Sequence, residues 1–272
     1  MHQIITCDLD GTLLTSNYNI SNYTRNILKK IINKETIFVI STGRNFADTW
    51  KIKNQLNIQA FMITCNGAEI YNNDGKKIYN NNIKTDITLQ LSQMFYLKQD
   101  IITHIYFKNK WYTNKNIDTN LKLLNSFSIK NQLYTKNFFK NKNAEKIFFT
   151  SNNYSQLKII QSYLQKKFKN KITTTFSKKN CLEINKNKVS KGTALIFLLK
   201  KLNLSLNNCI AFGDGMNDKD MLSISGNSFI MKNGDIELKK SLPDVPIIGS
   251  NNEDAVAYCL YNTFIKNKKI CK

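Results

Sequence analysis

Short apolar runs rich in β-branched residues recur along this chain, each followed by polar residues and then by a stretch with helical spacing. That alternation is the pattern of a parallel sheet whose strands are joined by crossover helices. Three runs come early, at Gln3–Cys7, Thr36–Ile40 and Phe61–Thr64, separated by helical stretches over Asn22–Ile32 and Phe46–Leu56. The pattern resumes after about residue 186, with a helix at Gly192–Leu202, a strand at Cys209–Phe212 and a helix near Asp218–Ser223. Short runs at Ser228–Met231 and Val245–Ile248 and a helix over Glu253–Phe264 complete it. Between about 84 and 185 the texture is different. Helical Ile87–Lys98 leads to Ile101–Phe107, Trp111–Thr113, Ile117–Ser126 and Lys146–Thr150, then to a helix at Tyr154–Phe168 and a run at Ile172–Phe176. The expected fold is α/β, a Rossmann-like parallel-sheet core (1–83 and 186–272) with an α+β module (84–185) inserted in it.

Composition narrows the function classes. Hydrophobic residues make up 42% of the 272 and charged residues 22%, which excludes a disordered or fibrous chain. No stretch approaches the ~18 unbroken apolar residues of a membrane span, and the start lacks a charged and then apolar leader. The expectation is a cytoplasmic protein with no membrane partner, a monomer or weak homo-oligomer. The six cysteines show no C-x-x-C spacing, so neither a zinc site nor a disulfide framework is indicated. A formal charge of +21 would ordinarily point to nucleic acid. Only Arg25 and Arg44 are arginine, however, and bidentate base or phosphate recognition favours the planar guanidinium. Lysines are scattered along the whole chain and rise together with Asn and Ile, so most read as solvated background and no nucleic-acid partner is expected. A lysine-rich nucleic-acid-binding protein is the alternative from another class. It would show a coherent lysine face and a steep loss of affinity with salt.

Ligands of open parallel sheets bind beyond the carboxyl ends of the strands. The first strand ends in Asp8-Leu9-Asp10-Gly11-Thr12-Leu13, two carboxylates on alternate positions followed by a glycine that permits a tight bend. The second ends in Ser41-Thr42-Gly43-Arg44, offering hydroxyls and loop N–H groups just ahead of a helix. Cys209–Phe212 runs into Gly213-Asp214-Gly215-Met216-Asn217-Asp218, again acid beside glycine. Three strand ends with oxygen ligands suit Mg²⁺, whereas zinc would want His or Cys and the only histidines are His2 and His104. Lys191, at a helix start, can supply a compact positive charge for phosphate oxygens.

These four segments, with Lys191-Gly192 as the third, resemble in order and spacing the motifs of the haloacid dehalogenase superfamily. The large insertion between the second and third motifs, and Cys65-Asn66-Gly67-Ala68, are similar to the Cof-type phosphatases with a type IIB cap. The resemblance implies a Mg²⁺-dependent phosphatase acting on a small phosphorylated metabolite, pyridoxal phosphate or a sugar phosphate. It implies Asp8 as the nucleophile that becomes an aspartyl-phosphate, and Asp10 as the proton carrier. Mg²⁺ would be held by Asp8, the Asp10 main-chain carbonyl and Asp214, with Asp218 supporting the metal shell. The Leu9 and Gly43 amides, the Thr42 hydroxyl, Lys191 and Asn217 would bind phosphate oxygens.

The inserted cap would set substrate identity, with candidate contacts near Asn66-Gly67-Ala68 and along Lys179-Asn180-Cys181-Leu182-Glu183. Tyr106, Trp111 and Tyr112 could stack on a pyridine ring, although aromatics on short strands more often pack. Glu183 reads as a cap or hinge contact rather than a catalytic acid. The enzymatic alternative is a phosphomutase, which would return the phosphoryl group to a second hydroxyl and release little free phosphate.

Overall fold

The computed structural model describes residues 3–32, 36–117 and 130–266. The chain starts with β1 (Gln3–Cys7), α1 (Asn22–Ile31), β2 (Thr36–Ser41), α2 (Phe46–Leu56) and β3 (Phe61–Thr64). It continues with β4 (Glu69–Tyr71), β5 (Lys77–Asn80) and α3 (Thr85–Met94), then β6 (Ile102–Phe107), β7 (Lys110–Thr113), β8 (Asn131–Leu133) and β9 (Lys146–Thr150). Next come α4 (Tyr154–Lys167), β10 (Ile172–Lys178), β11 (Cys181–Lys186), α5 (Lys191–Lys201) and β12 (Cys209–Gly213). Last are α6 (Lys219–Ile224), β13 (Asn227–Met231), α7 (Ile236–Ser241), β14 (Ile247–Ile248) and α8 (Ala255–Phe264).

Two sheets result. The larger has eight strands in the order β14-β13-β12-β1-β2-β3-β4-β5, parallel from β14 to β3. Its central strands are apolar on both faces, because helices cover both sides. Ile5, Cys7, Phe38 and Ile40 pack on one face towards α1, α2 and α8, and Ile4, Val39, Ala211 and Ile230 on the other towards α5 and α6. The sheet thus matches the expected Rossmann-like core, with one addition. β4 and β5 continue it antiparallel. Their polar residues, such as Glu69 and Lys77, hid them in the sequence.

The smaller sheet has the order β10-β11-β9-β6-β7-β8 and is antiparallel except for β7–β8. One face, carrying Ile105, Ile147, Phe149, Leu182 and Ile184, is buried with Ile87 and Leu91 of α3 and Leu157, Ile160 and Leu164 of α4. The opposite face carries Tyr106, Lys146, Phe148, Glu183 and Asn185, as the two-residue period of a strand requires. β11 was not anticipated as a strand, and the expected stretch Ile117–Ser126 lies largely outside the described residues. Among the described residues no helix is long and apolar enough to cross a membrane.

The chain crosses from the larger layer to the smaller between β5 and α3, and at this crossing Ile83 pairs its backbone with Ala144. Beside this crossing Glu145 is buried. One of its oxygens accepts the Lys108 amide at 2.9 Å, and the other has no hydrogen-bond partner. Burial, and then the nearby Glu69 carboxylate, push its pKa up to about 7. An acid whose pKa rises on folding opposes folding once the unfolded chain would ionise it. Stability should therefore fall as the pH climbs from the ordinary glutamate range to about 7 and level off above it, by up to about 3 kcal/mol. Glu145→Gln should melt higher than wild type at pH 8 and level with it near pH 4.5, as differential scanning calorimetry at the two pH values would show.

Candidate active site

β1 ends between β2 and β12, with Cys7 paired to Ile40 on one side and Phe212 on the other. The loops after these three strands therefore converge. Asp8 is buried directly beyond β1, and its amide donates to the Phe212 carbonyl at 3.1 Å. Gly11 makes the following bend possible. Its φ is +85°, and a Cβ there would lie 2.3 Å from Asp214 Oδ2, so only glycine lets the loop approach that carboxylate. Thr12 Oγ1 donates to Asp214 Oδ1 at 3.0 Å.

Lys191 reaches this point from the start of α5, where Ser190 and Thr193 form a capping box that fixes the first turn. Gly67, at φ +100°, lets the loop after β3 press against that turn, since a Cβ there would stand 2.2 Å from the Ser190 carbonyl oxygen. The Lys191 ammonium is fully buried and donates at 2.6 Å to Asp8 Oδ1 and at 2.6 Å to Asp218 Oδ1. Burial works against its charge, but the two carboxylates outweigh it and raise its pKa well above the ordinary lysine value. Asp218 is also buried, and its second oxygen accepts the amides of Asp214 and Gly215, each at 3.0 Å. It thereby shapes the loop that presents Asp214.

Carboxylate oxygens of Asp8, Asp214 and Asp218 lie within 4.8 Å of one another. Burial and Asp218 push the Asp214 pKa up to about 7, while burial raises that of Asp8 well above the usual range despite Lys191. Three acids against one ammonium leave the cluster short of positive charge. Hard oxygen donors so arranged fit a divalent cation. The carboxylate of Asp10 is not in this cluster. It is held in a bidentate pair by Arg44, with Nε to Oδ2 at 2.7 Å and Nη2 to Oδ1 at 2.6 Å. Arg44 is buried, and although burial opposes its charge, the hydrogen bonds and attraction of Asp10 raise its pKa. Sequence reasoning quoted Arg44 as part of a motif without giving it a task. Its signal was that it is one of only two arginines in so basic a chain.

Thr42 is buried, and its hydroxyl accepts the Arg44 amide at 3.1 Å. Asn217 Nδ2 donates to Asn66 Oδ1 at 3.2 Å. Lys191, Asp214 and Asp218 thus gather around Asp8, while Thr42, Gly43 and Asn217 meet around Asn66. The aromatic candidates separate. Tyr112 packs in the apolar layer of the smaller sheet, whereas Tyr106 and Trp111 cluster with Cys65, Ala68 and Val189 where the two layers meet. Trp111 Nε1 donates to His104 Nδ1 at 3.2 Å, and burial depresses the His104 pKa to about 3, so that ring is a neutral packing element. A cavity of about 890 Å³ opens at the other end of the parallel strands between Lys29, Thr36, Lys53 and Phe61.

Comparison with known proteins gives four likenesses. The family model of the haloacid dehalogenase-like hydrolases matches residues 5–260. A protein of Buchnera aphidicola subsp. Schizaphis graminum, which carries the provisional name phosphatase, is 44% identical over 272 residues, covering 100% of this chain and 99% of its own length. An HMP-PP phosphatase of Serratia proteamaculans is 30% identical over 260 residues, 96% of this chain and 94% of that protein. Among solved structures, a haloacid dehalogenase-like hydrolase from B. subtilis superposes with a TM-score of 0.83 at 25% identity, over 95% of this chain and 98% of that one.

A ligand that binds only the folded state at 100 times its Kd adds about 2.7 kcal/mol of stability. Millimolar divalent cation should therefore raise the melting temperature of the wild type by a few degrees. Asp214→Asn should remove most of that increment while leaving the cation-free melting temperature equal or higher, because it removes one of three crowded carboxylates.

Proposed function

This chain belongs to the haloacid dehalogenase-like hydrolases and is a phosphoric monoester hydrolase, and on that premise we propose that it is a cytoplasmic, Mg²⁺-dependent enzyme that hydrolyses a small phosphorylated metabolite through an aspartyl-phosphate on Asp8. The observation that carries the reading is the Asp8 carboxylate, buried at a strand end with one oxygen fixed by Lys191. With Oδ1 so held, attack on phosphorus falls to Oδ2. The bond to the ester oxygen breaks as that to Asp8 forms, and Asp10 gives its proton to the departing alkoxide. Water then attacks the same phosphorus, its proton passes to Asp10, and Asp8 leaves as a free carboxylate with inorganic phosphate.

The Arg44 guanidinium holds both oxygens of the Asp10 carboxylate. Its fork also fixes the plane of the carboxylate. The Leu9 and Gly43 amides, the Thr42 hydroxyl, Lys191 and Asn217 would take the equatorial phosphate oxygens, which remain anionic throughout. Mg²⁺ held by Asp8, Asp214 and the Asp10 carbonyl would supply the charge that offsets repulsion between nucleophile and phosphate. Segment 84–185 would act as a cap that closes over the site and chooses the organic part of the substrate. Pyridoxal phosphate and sugar phosphates are the classes favoured from the sequence, and the name of the Serratia relative adds HMP-PP to the panel.

Phosphate release from p-nitrophenyl phosphate and this panel should require Mg²⁺, stop on chelation, and fall by at least about 10⁴-fold in Asp8→Asn. Release only after priming with a bisphosphate would identify a phosphomutase instead. Arg44→Lys keeps the charge and loses the fork. It should lower kcat about 10–100-fold with a much smaller change in KM, as steady-state kinetics would show.

A further inference from the structure

The polar face of the smaller sheet is turned inward. Lys146 on β9 and Glu183 on β11 are 3% and 6% exposed, and their side chains pair at 2.7 Å. A charged pair on a face that could have been apolar or solvated carries a large desolvation cost. What it touches in the larger domain gives it a task. Lys146 Nζ also donates to the Gly43 carbonyl at 2.9 Å, and that peptide's own N–H, belonging to Arg44, donates to the Thr42 hydroxyl oxygen. With its lone pair engaged, Thr42 has its O–H free to turn to a phosphate oxygen. Glu183 accepts from Asn66 Nδ2 through its other oxygen, which leaves Asn66 Oδ1 to receive Asn217 Nδ2 at 3.2 Å.

The turn that carries Asn66 is held in place as well. Cys65 and Asn66 both have left-handed backbones, with φ of 51° and 57°, a conformation that a cysteine adopts only under constraint. The constraint comes from both layers. Asn185 Nδ2 of β11 donates to the Cys65 carbonyl at 2.8 Å, while the Cys65 and Asn66 amides donate to the Arg44 and Thr42 carbonyls at 2.8 and 3.0 Å. Gly43 is enclosed, since a Cβ there would lie 3.0 Å from Lys146 Nζ and 3.0 Å from Asn66 Oδ1.

We propose that Lys146 and Glu183 are positioning residues that complete the phosphate-binding loops from the opposite layer, Lys146 through Gly43 to Thr42 and Glu183 through Asn66 to Asn217. The inference rests on the phosphatase site proposed above and adds that phosphate affinity depends on the second layer being docked. Substrate phosphate and the closing layer thus favour each other, each binding better when the other is in place.

Removing one member of a buried pair strands the other charge, so the test removes both. Lys146→Met/Glu183→Met replaces the pair with apolar groups of similar volume, an exchange that usually leaves stability unchanged or improved. The folded double variant should retain its melting temperature within a few degrees. Its KM for p-nitrophenyl phosphate and its Ki for inorganic phosphate should rise together by roughly tenfold or more, the worth of a charge-assisted hydrogen bond, with kcat changed less. A merely structural latch would move the melting temperature and leave Ki alone. Glu183→Gln, nearly isosteric, covers failure of the double variant to fold and should raise Ki severalfold. A Ki within twofold of wild type in either folded variant overturns the proposal. Phosphate release that persists in Asp8→Asn would instead overturn the site itself, and the positioning role with it.

Discussion

One ammonium group ties the site together. Lys191 leaves the first turn of α5 and is gripped by Asp8, beyond β1, and by Asp218, beyond β12. A lysine without solvent contact is tolerable only with such partners, and each carboxylate is tolerable only because of it. The consequences spread outward. Asp218, fixed at one oxygen, uses the other to fold the Asp214–Gly215 backbone, and Asp214 is thereby brought beside Asp8. The glycines at 11 and 67 are the steric complement of the same arrangement, since each admits a loop that any side chain would push away. The centre is assembled with more negative than positive charge, an imbalance that a divalent cation would offset.

A second level of organisation comes from the smaller sheet. An antiparallel sheet ordinarily turns one face to a core and the other to water, and here both faces are covered. Its apolar face meets α3 and α4, and its polar face meets the strand-end loops of the larger sheet. On the proposed reading, chemistry and recognition would lie on different layers, joined where the chain passes from β5 to α3 and from β11 to α5. Each layer has its own apolar core, so on that reading the two could part for substrate entry. Glu145, buried beside the first of these crossings with one oxygen unpartnered, is a local cost of bringing the layers together.

How much of this could be read from the sequence follows from what each segment contributes to burial. β1, β2, β3 and β12 are continuous apolar runs because both their faces are covered, and they were legible at once. β11 was not, because Cys181, Glu183 and Asn185 alternate with Leu182 and Ile184 in a pattern that also fits a surface turn. β4 and β5 are short, polar and antiparallel, and no periodicity survives in three or four residues. Asp8, Asp10 and Asp214 stood out because acids at strand ends are conspicuous. Arg44 was visible only as part of a motif, since its partner lies 34 positions away. Lys146 gave no signal, because its burial depends on the packing of two layers and nothing in its neighbourhood distinguishes it from other lysines.

The basic composition makes that last point general. The formal charge of +21 invites a search for a polyanionic partner, yet charge at long range is screened within about 8–10 Å at physiological salt. On the proposed reading the surface excess would aid the arrival of an anionic substrate. What recognises it at short range is a few cations without water. Among the described residues the buried lysines are Lys53, Lys146 and Lys191. Lys53 caps the Asn73 carbonyl and rests on Trp50, far from the strand ends. The other two hold strand-end loops of the larger sheet, Lys191 at Asp8 and Lys146 at Gly43. A lysine on the surface could be replaced by almost any polar residue with little effect. On the proposed reading these two cannot, because Lys191 is the counter-charge of Asp8 and Asp218 and Lys146 that of Glu183, and each holds a loop that would bear on phosphate. In a chain this basic, function is concentrated in the positive charges hidden from solvent.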